Sequence, residues 1–233
     1  MIERLGTVHA RRAVLKNGVL ALGALAIPGA VSAAVQRLSQ QALEPQMQPV
    51  PAFPEPATRP LTSANVVRPQ LLRRALAALD AQGSRVRRDR LAIADFAAPS
   101  AQPRFHLIDL TDGSSRSFLV AHGSGSDPSH TGWLQRFSNE PGSNASSEGA
   151  YMAADYYVGK HGRSQRLIGL DATNNNALER ALVVHAAWYA NPDMLRTHGM
   201  LGRSQGCFAV GDGDLDQVFA RLGEGRMIYA AKL

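Results

Sequence analysis

The 233-residue chain has room for one sizeable domain with a tail, and 45% of it is apolar. Its formal charge is +6, but half of that excess lies in residues 1–33, where Arg4, Arg11, Arg12 and Lys16 face only Glu3; the mildly basic remainder has no Lys/Arg stripe interleaved with aromatics, so no nucleic acid is expected as a partner. A single cysteine, Cys207, with no CxxC and no compact His/Cys cluster, excludes an internal disulfide and gives no reason to expect a metal or an organic cofactor.

Residues 1–33 have the three-part plan of an export signal: a positive segment, an apolar run from Gly18 broken at Pro28-Gly29, and small residues at Val31 and Ala33 that suit a cut after Ala33. "ARRAVLK" resembles a twin-arginine signal, with Arg11 and Arg12 as the pair and Lys16 behind. The expected destination is the periplasm or cell envelope, with the export machinery as a transient partner. A retained anchor is the alternative, although the run is near the lower limit for spanning a bilayer.

Residues 34–69 carry Pro45, Pro49, Pro51, Pro54, Pro56, Pro60 and Pro69, which read as a linker because proline removes donors and stiffens the chain. A helical front segment is expected over 70–99. Leu72, Ala75, Leu76 and Leu79 share one helical face and Gly83 is a plausible stop, whereas 89–97 fits a strand or a second short helix. Arg85, Arg87, Arg88 and Arg90 form the densest basic run and read as a solvated face.

From about 100 to 233 the pattern becomes mostly β. Residues 104–123 read as a hairpin around Asp112-Gly113; 165–171, 180–190, 206–210 and the C-terminal "GRMIYAAKL" read as strands. Residues 214–225 read as a short helix that Asp214 can cap and Gly223 can end. Long helices between the strands are too few for a doubly wound sheet.

Cys207 lies in "HGMLGRSQGCFAV". Acyl transfer by a thiol needs a thiolate, a nearby base and donors for the developing oxyanion. Gly206 permits a tight turn, and its amide together with that of Cys207 could face a carbonyl oxygen. His185, on a strand in "LVVHAAWY", is the first candidate for the base; His198 is nearer in sequence but lies in a Gly-rich loop, and His122, His130 and His161 could also contribute to a cleft. Composition by itself leaves an inert buried thiol equally open.

"VVHAAWYA" followed by "GRSQGCFAV" resembles the signature of the L,D-transpeptidase catalytic domain, the YkuD-like family, in its murein L,D-transpeptidase branch. In that pattern a strand His is followed by Ser/Thr-His-Gly-Cys; here His185, Ser204, Gly206 and Cys207 match. Further blocks at 159–162, 167–170, 176–180 and 202–209 match the branch, and the likeness spans roughly 104–230. Gln205 replaces the usual second His, Phe208 takes a Pro place, and Ala209 stands where many members have Arg or Asn.

The resemblance implies an L,D-transpeptidase-like β-sandwich with short helices, preceded by the helical segment; a monomer is expected. It implies action on peptidoglycan stem peptides. Cys207 attacks the third-residue carbonyl, D-Ala leaves, and the acyl group passes to another stem amine in a 3→3 cross-link, or to water as in an L,D-carboxypeptidase. His185 is the implied base. Ser204 bonds to His185, lines the cleft or serves as a turn hydroxyl; Gln205 holds substrate or a loop, or faces solvent; Lys160, His161 and Arg163 meet a stem carboxylate or belong to loop structure, with His198 also a candidate on the substrate side. The alternatives are a Cys/His peptidoglycan endopeptidase and a catalytically inactive wall-binding domain.

Overall fold

The computed structural model describes residues 66–233; the export signal and all but the end of the linker lie outside them. The order is α1 (Pro69–Gln82), β1 (Arg87–Asp95), β2 (Phe105–Asp109), β3 (Ser115–Phe118), β4 (Gly149–Gly159), β5 (Gly162–Gly169), β6 (Val183–Ala186), α2 (Asp193–His198), β7 (Phe208–Val210), α3 (Leu215–Leu222) and β8 (Arg226–Ala231). The eight strands form one sheet in the order β3-β2-β1-β8-β4-β5-β6-β7.

Proline 69 opens α1, where its missing N–H costs nothing, and Gly83 ends it at a φ of 54°. The buried face is Leu71, Ala75 and Leu79, with Leu72 and Leu76 only partly covered, so the apolar stripe is rotated from the predicted one. Residues 66–69 are thus not linker: Val67 is buried under α1, and Arg68 pairs with Asp95 at 2.6 Å.

The stretch that fitted strand or helix is strand, and this corrects the idea of a helical segment running to 99. β1 lies inside the sheet, antiparallel to β2 and parallel to β8. Alternation explains its composition: Leu91 and Ile93 face α1, whereas Ala92 and Ala94 face the main core. β8 splits likewise, with Met227 and Ala231 toward α1 and Ile228 and Ala230 toward the core. Strands buried on both faces read as continuous apolar runs.

The 104–123 hairpin forms as β2 and β3, with Ile108 opposite Ser115 and Gly113 at a φ of 74° in the turn. Beyond β3 the chain reaches the opposite end of the sheet, where the Ala121 N–H donates to Ala209 O at 2.9 Å. The sheet is therefore rolled, and its two halves face each other as the layers of a sandwich. Phe208 fills the space between them, its ring centroid 6.1 Å from Phe105 and 5.5 Å from Tyr151. Truncating such a core aromatic costs about 3–5 kcal/mol, which accounts for a large apolar residue at 208. Ala209 is fully buried against Ala121 where the ends meet, which leaves no room there for Arg or Asn.

The basic run braces itself on local acids: Arg88 pairs with Asp80, Arg87 with Asp89 and Arg90 with Asp109. Leu215, Val218, Phe219 and Leu222 anchor α3, which Gly223 ends; Asp214 occupies the N-cap position, but its side chain makes no capping bond. Among the described residues no helix is long and apolar enough to cross a membrane.

Candidate active site

β6 and β7 are parallel neighbours, with Val184 opposite Phe208 and His185 opposite Ala209. That register sets Cys207, just before β7, across from Val183. Residues two apart on a strand point the same way, so Cys207 and His185 share a side. Both line one cleft of about 580 Å³.

A tight turn delivers the sulfur. Gly206 has a φ of 109°, and a Cβ there would sit 2.6 Å from Ala145 O, so only glycine fits. The Ser204 hydroxyl donates to Cys207 O at 2.7 Å and accepts the Gly206 N–H at 3.1 Å. Ser204 therefore braces the turn rather than bonding to His185. The Gly206 amide is spent on this brace, which removes it as an oxyanion donor.

Cys207 is 8% exposed, and its thiol is 3.8 Å from the Ala181 carbonyl. Burial pushes the thiol up from its ordinary value, against the opposing pull of the Val183 N–H and the charges of Lys160 and Arg180. Burial pushes the His185 imidazole down; its bond to Ala186 O opposes this, and His161 and Lys160 add to it. Both directions favour a neutral thiol beside a neutral imidazole at rest.

The His185 Nδ1 lies 2.8 Å from Ala186 O. A carbonyl can only accept, so Nδ1 carries the proton and Nε2 keeps its lone pair. The His185 ring stacks on His161, centroids 4.4 Å apart. His161 and Lys160 form the turn between β4 and β5 and line the cleft, as does exposed Gln205.

Two expected substrate residues are elsewhere. Arg163 turns away to pair with Asp216 and lies over the Phe219 ring. His198 is the last residue of α2, not a loop residue; it is exposed and does not line the cleft. Two other imidazoles are also outside the cleft lining: His130 bonds to Leu201 O, and His122 is sealed behind the nucleophile loop. α1 does not cover the cleft either; it packs on β1, β8 and β4 and supplies none of the lining.

Sequence reasoning gave no role to Tyr189, Arg203 or Arg180, all in the lining. Arg180 lay in a matched block, and its side chain shows why it belongs there: it donates to Ser138 O, Ser147 Oγ and Ala145 O, fixing the 138–147 wall. Arg203 donates to the carbonyls of Asp127 and Pro128.

Behind the site lies an unforeseen polar cluster. Arg104 is fully buried and donates to Val120 O, to Ala98 O and to His122 Nδ1, the last at 2.7 Å. The other His122 nitrogen donates to Asp127 at 3.4 Å. Burial, reinforced by the Arg104 charge, lowers the His122 pKa to about 4. The cluster reaches the nucleophile turn through main chain, since Ser204 N–H donates to His122 O at 2.9 Å. Among the described residues no group of three or more His, Cys, Asp or Glu is placed to hold a metal ion.

A family model for the L,D-transpeptidase catalytic domain matches residues 63–231. No curated protein matches the sequence. Among solved structures, an L,D-transpeptidase from Mycobacterium smegmatis is 13% identical, with a TM-score of 0.38 over 61% of this chain and 58% of that one. L,D-transpeptidase 3 from Mycobacterium tuberculosis, in complex with a faropenem-derived adduct, is 13% identical, with a TM-score of 0.39 over 62% of this chain and 60% of that one. The chain thus spans about three-fifths of the length of these structures.

Proposed function

Because the chain belongs to the L,D-transpeptidase catalytic-domain family, we propose that it transfers acyl groups between peptidoglycan stem peptides through a Cys207 thioester. The observation that carries this reading is the parallel β6–β7 pair, which sets a buried thiol and an imidazole with a free lone pair in one cleft.

The chemistry follows from the neutral pair. As the sulfur attacks the third-residue carbonyl, its proton passes to His185 Nε2. The imidazolium then protonates the departing D-Ala amine, leaving a thioester. A second stem amine attacks the thioester, gives its proton to His185 and releases a 3→3 cross-link. The proton returned by the imidazolium restores the thiol. Water in place of the amine gives L,D-carboxypeptidase action. The Cys207 amide is the remaining local donor for the oxyanion, now that the Gly206 amide is committed to Ser204. Lys160 supplies a cation for a substrate carboxylate at the mouth. Action outside the cytoplasm is the companion proposal, supported by the signal-like pattern of residues 1–33.

The test is incubation with purified tetrapeptide muropeptides, read by mass spectrometry. Cross-linked 3→3 dimers or released D-Ala are expected, and both should vanish in Cys207→Ala. Loss of existing cross-links without D-Ala release would point to the endopeptidase instead, and undiminished turnover in Cys207→Ala would refute the thioester.

A further inference from the structure

Arg180 is a half-buried cation on the cleft wall that pairs with no carboxylate among the described residues. Its bonds go to neutral oxygens of Ser138, Ser143, Ala145 and Ser147, all on one segment. A cation held only by neutral acceptors keeps most of its field for whatever anion forms nearby. The anion that the proposed reaction forms there is the Cys207 sulfur.

The rest of that stretch converges on the same turn. Arg180 Nη2 would lie 3.1 Å, and Leu182 Cδ2 3.0 Å, from a Cβ built on Gly206. Ala181, between them, has a φ of 52°, a conformation costly for a residue with a side chain. In that conformation its carbonyl lies 3.8 Å from the Cys207 sulfur. Residues 180–182 thus line the nucleophile turn: the Ala181 carbonyl faces the resting thiol, and the Arg180 guanidinium and the Leu182 side chain lie against Gly206, one residue before it.

We infer that Arg180 is a positioning residue whose charge stabilises the Cys207 thiolate as its proton passes to His185, in addition to fixing the 138–147 wall. The inference deepens the proposed thioester mechanism and rests on it. Burial pushes the Cys207 thiol up and the Arg180 guanidinium down, and the charge of each group opposes that push on the other.

The test reads the thiol without any wall substrate. The full chain is alkylated with iodoacetamide across a pH series, alongside Arg180→Gln, Arg180→Lys and Ser147→Ala, with near-UV circular dichroism and thermal melting on each. At a fixed pH below the midpoint, Arg180→Gln should react about tenfold more slowly, with its profile displaced to higher pH. Arg180→Lys should lose about threefold, because an ammonium cannot reproduce the forked placement. Ser147→Ala loosens the same wall but keeps the charge, so its profile should overlay the wild type even if its melting temperature falls. An Arg180→Gln profile that overlays the wild type overturns the inference. If that variant does not fold, Arg180→Met takes its place as the charge-removing change, and an Arg180→Met profile that overlays the wild type overturns the inference. Inert muropeptides with the displaced profile present would remove the proposed transfer reaction and leave the thiol coupling standing.

Discussion

His185 and His122 are both almost wholly inaccessible, and burial lowers the proton affinity of both. They differ in what each ring nitrogen meets. His122 accepts from Arg104 on one side and donates to Asp127 on the other, so neither nitrogen is left for chemistry. His185 spends one nitrogen on Ala186 O and leaves the other on the cleft side of a sheet. A buried imidazole with both nitrogens engaged is a structural part; with one unengaged beside a cavity it can move protons.

Substitution should separate the two roles most sharply. His185→Ala should lower muropeptide turnover by about 10³-fold or more, because both the thiol and the leaving amine lose their proton carrier. Its unfolding free energy should change by no more than about 1 kcal/mol. His122→Ala should do the reverse. Leaving Arg104 and Asp127 buried without their shared partner should cost about 2–4 kcal/mol, while turnover per folded molecule stays within about tenfold. Urea unfolding and mass-spectrometric turnover on both variants check the pair, and equal activity losses in two equally stable proteins would erase the distinction.

Acid should act mainly on the structural imidazole. The His122 pKa is lowered in the fold to about 4, from an unfolded value near 6.5. The unfolded chain therefore binds the proton first as pH falls. His122 contributes its stability above the unfolded value, and that contribution drains away between roughly pH 6.5 and 4, about 3 kcal/mol in all. His122→Asn should show a shallower decline over that window in urea midpoints, even though it starts lower. A wild-type decline no steeper than the variant's would mean that His122 is already charged in the fold.

The readability of this comparison from sequence was uneven, for physical reasons. The hairpin and α3 carried turn residues or short-range periodicity and form close to where expected, whereas the strand around His185 is shorter than the expected 180–190, running only over Val183–Ala186 before a single helical turn at Trp188–Ala190. β4, the longest strand, was not expected: its bulge between Ala153 and Tyr156 breaks the alternation, and "MAAD" has little strand character. Cys207 and His185 were legible because a short motif carries them. Arg163 was misplaced because adjacent strand residues face opposite ways: Ser164 pairs with His185, so Arg163 beside it on β5 points to the other face and meets Asp216. The Arg104–His122–Asp127 cluster left no local trace, because nothing in "QPRFHL" marks an arginine that will be buried whole.

The smallest effect concerns the ring beside His185. His161 covers that imidazole at 4.4 Å and helps to hold its proton affinity down. His161→Ala would admit water and remove a ring that turns positive only in acid, burial and Lys160 holding its own pKa down, and both changes raise the His185 pKa. The acidic limb of the rate profile should then move to higher pH, because a protonated His185 cannot accept the thiol proton. His161→Phe keeps the ring cover and removes only the charge, so its limb should lie between the other two. Stacked rings contribute about 0.5–1.5 kcal/mol, so turnover at the optimum should fall by only about two- to tenfold in His161→Ala. Profiles of turnover against pH for the three proteins decide the matter. If the limb stays fixed in both variants, the acid side of the reaction is set by a group other than His185, and the contrast between the two buried imidazoles loses its chemical half.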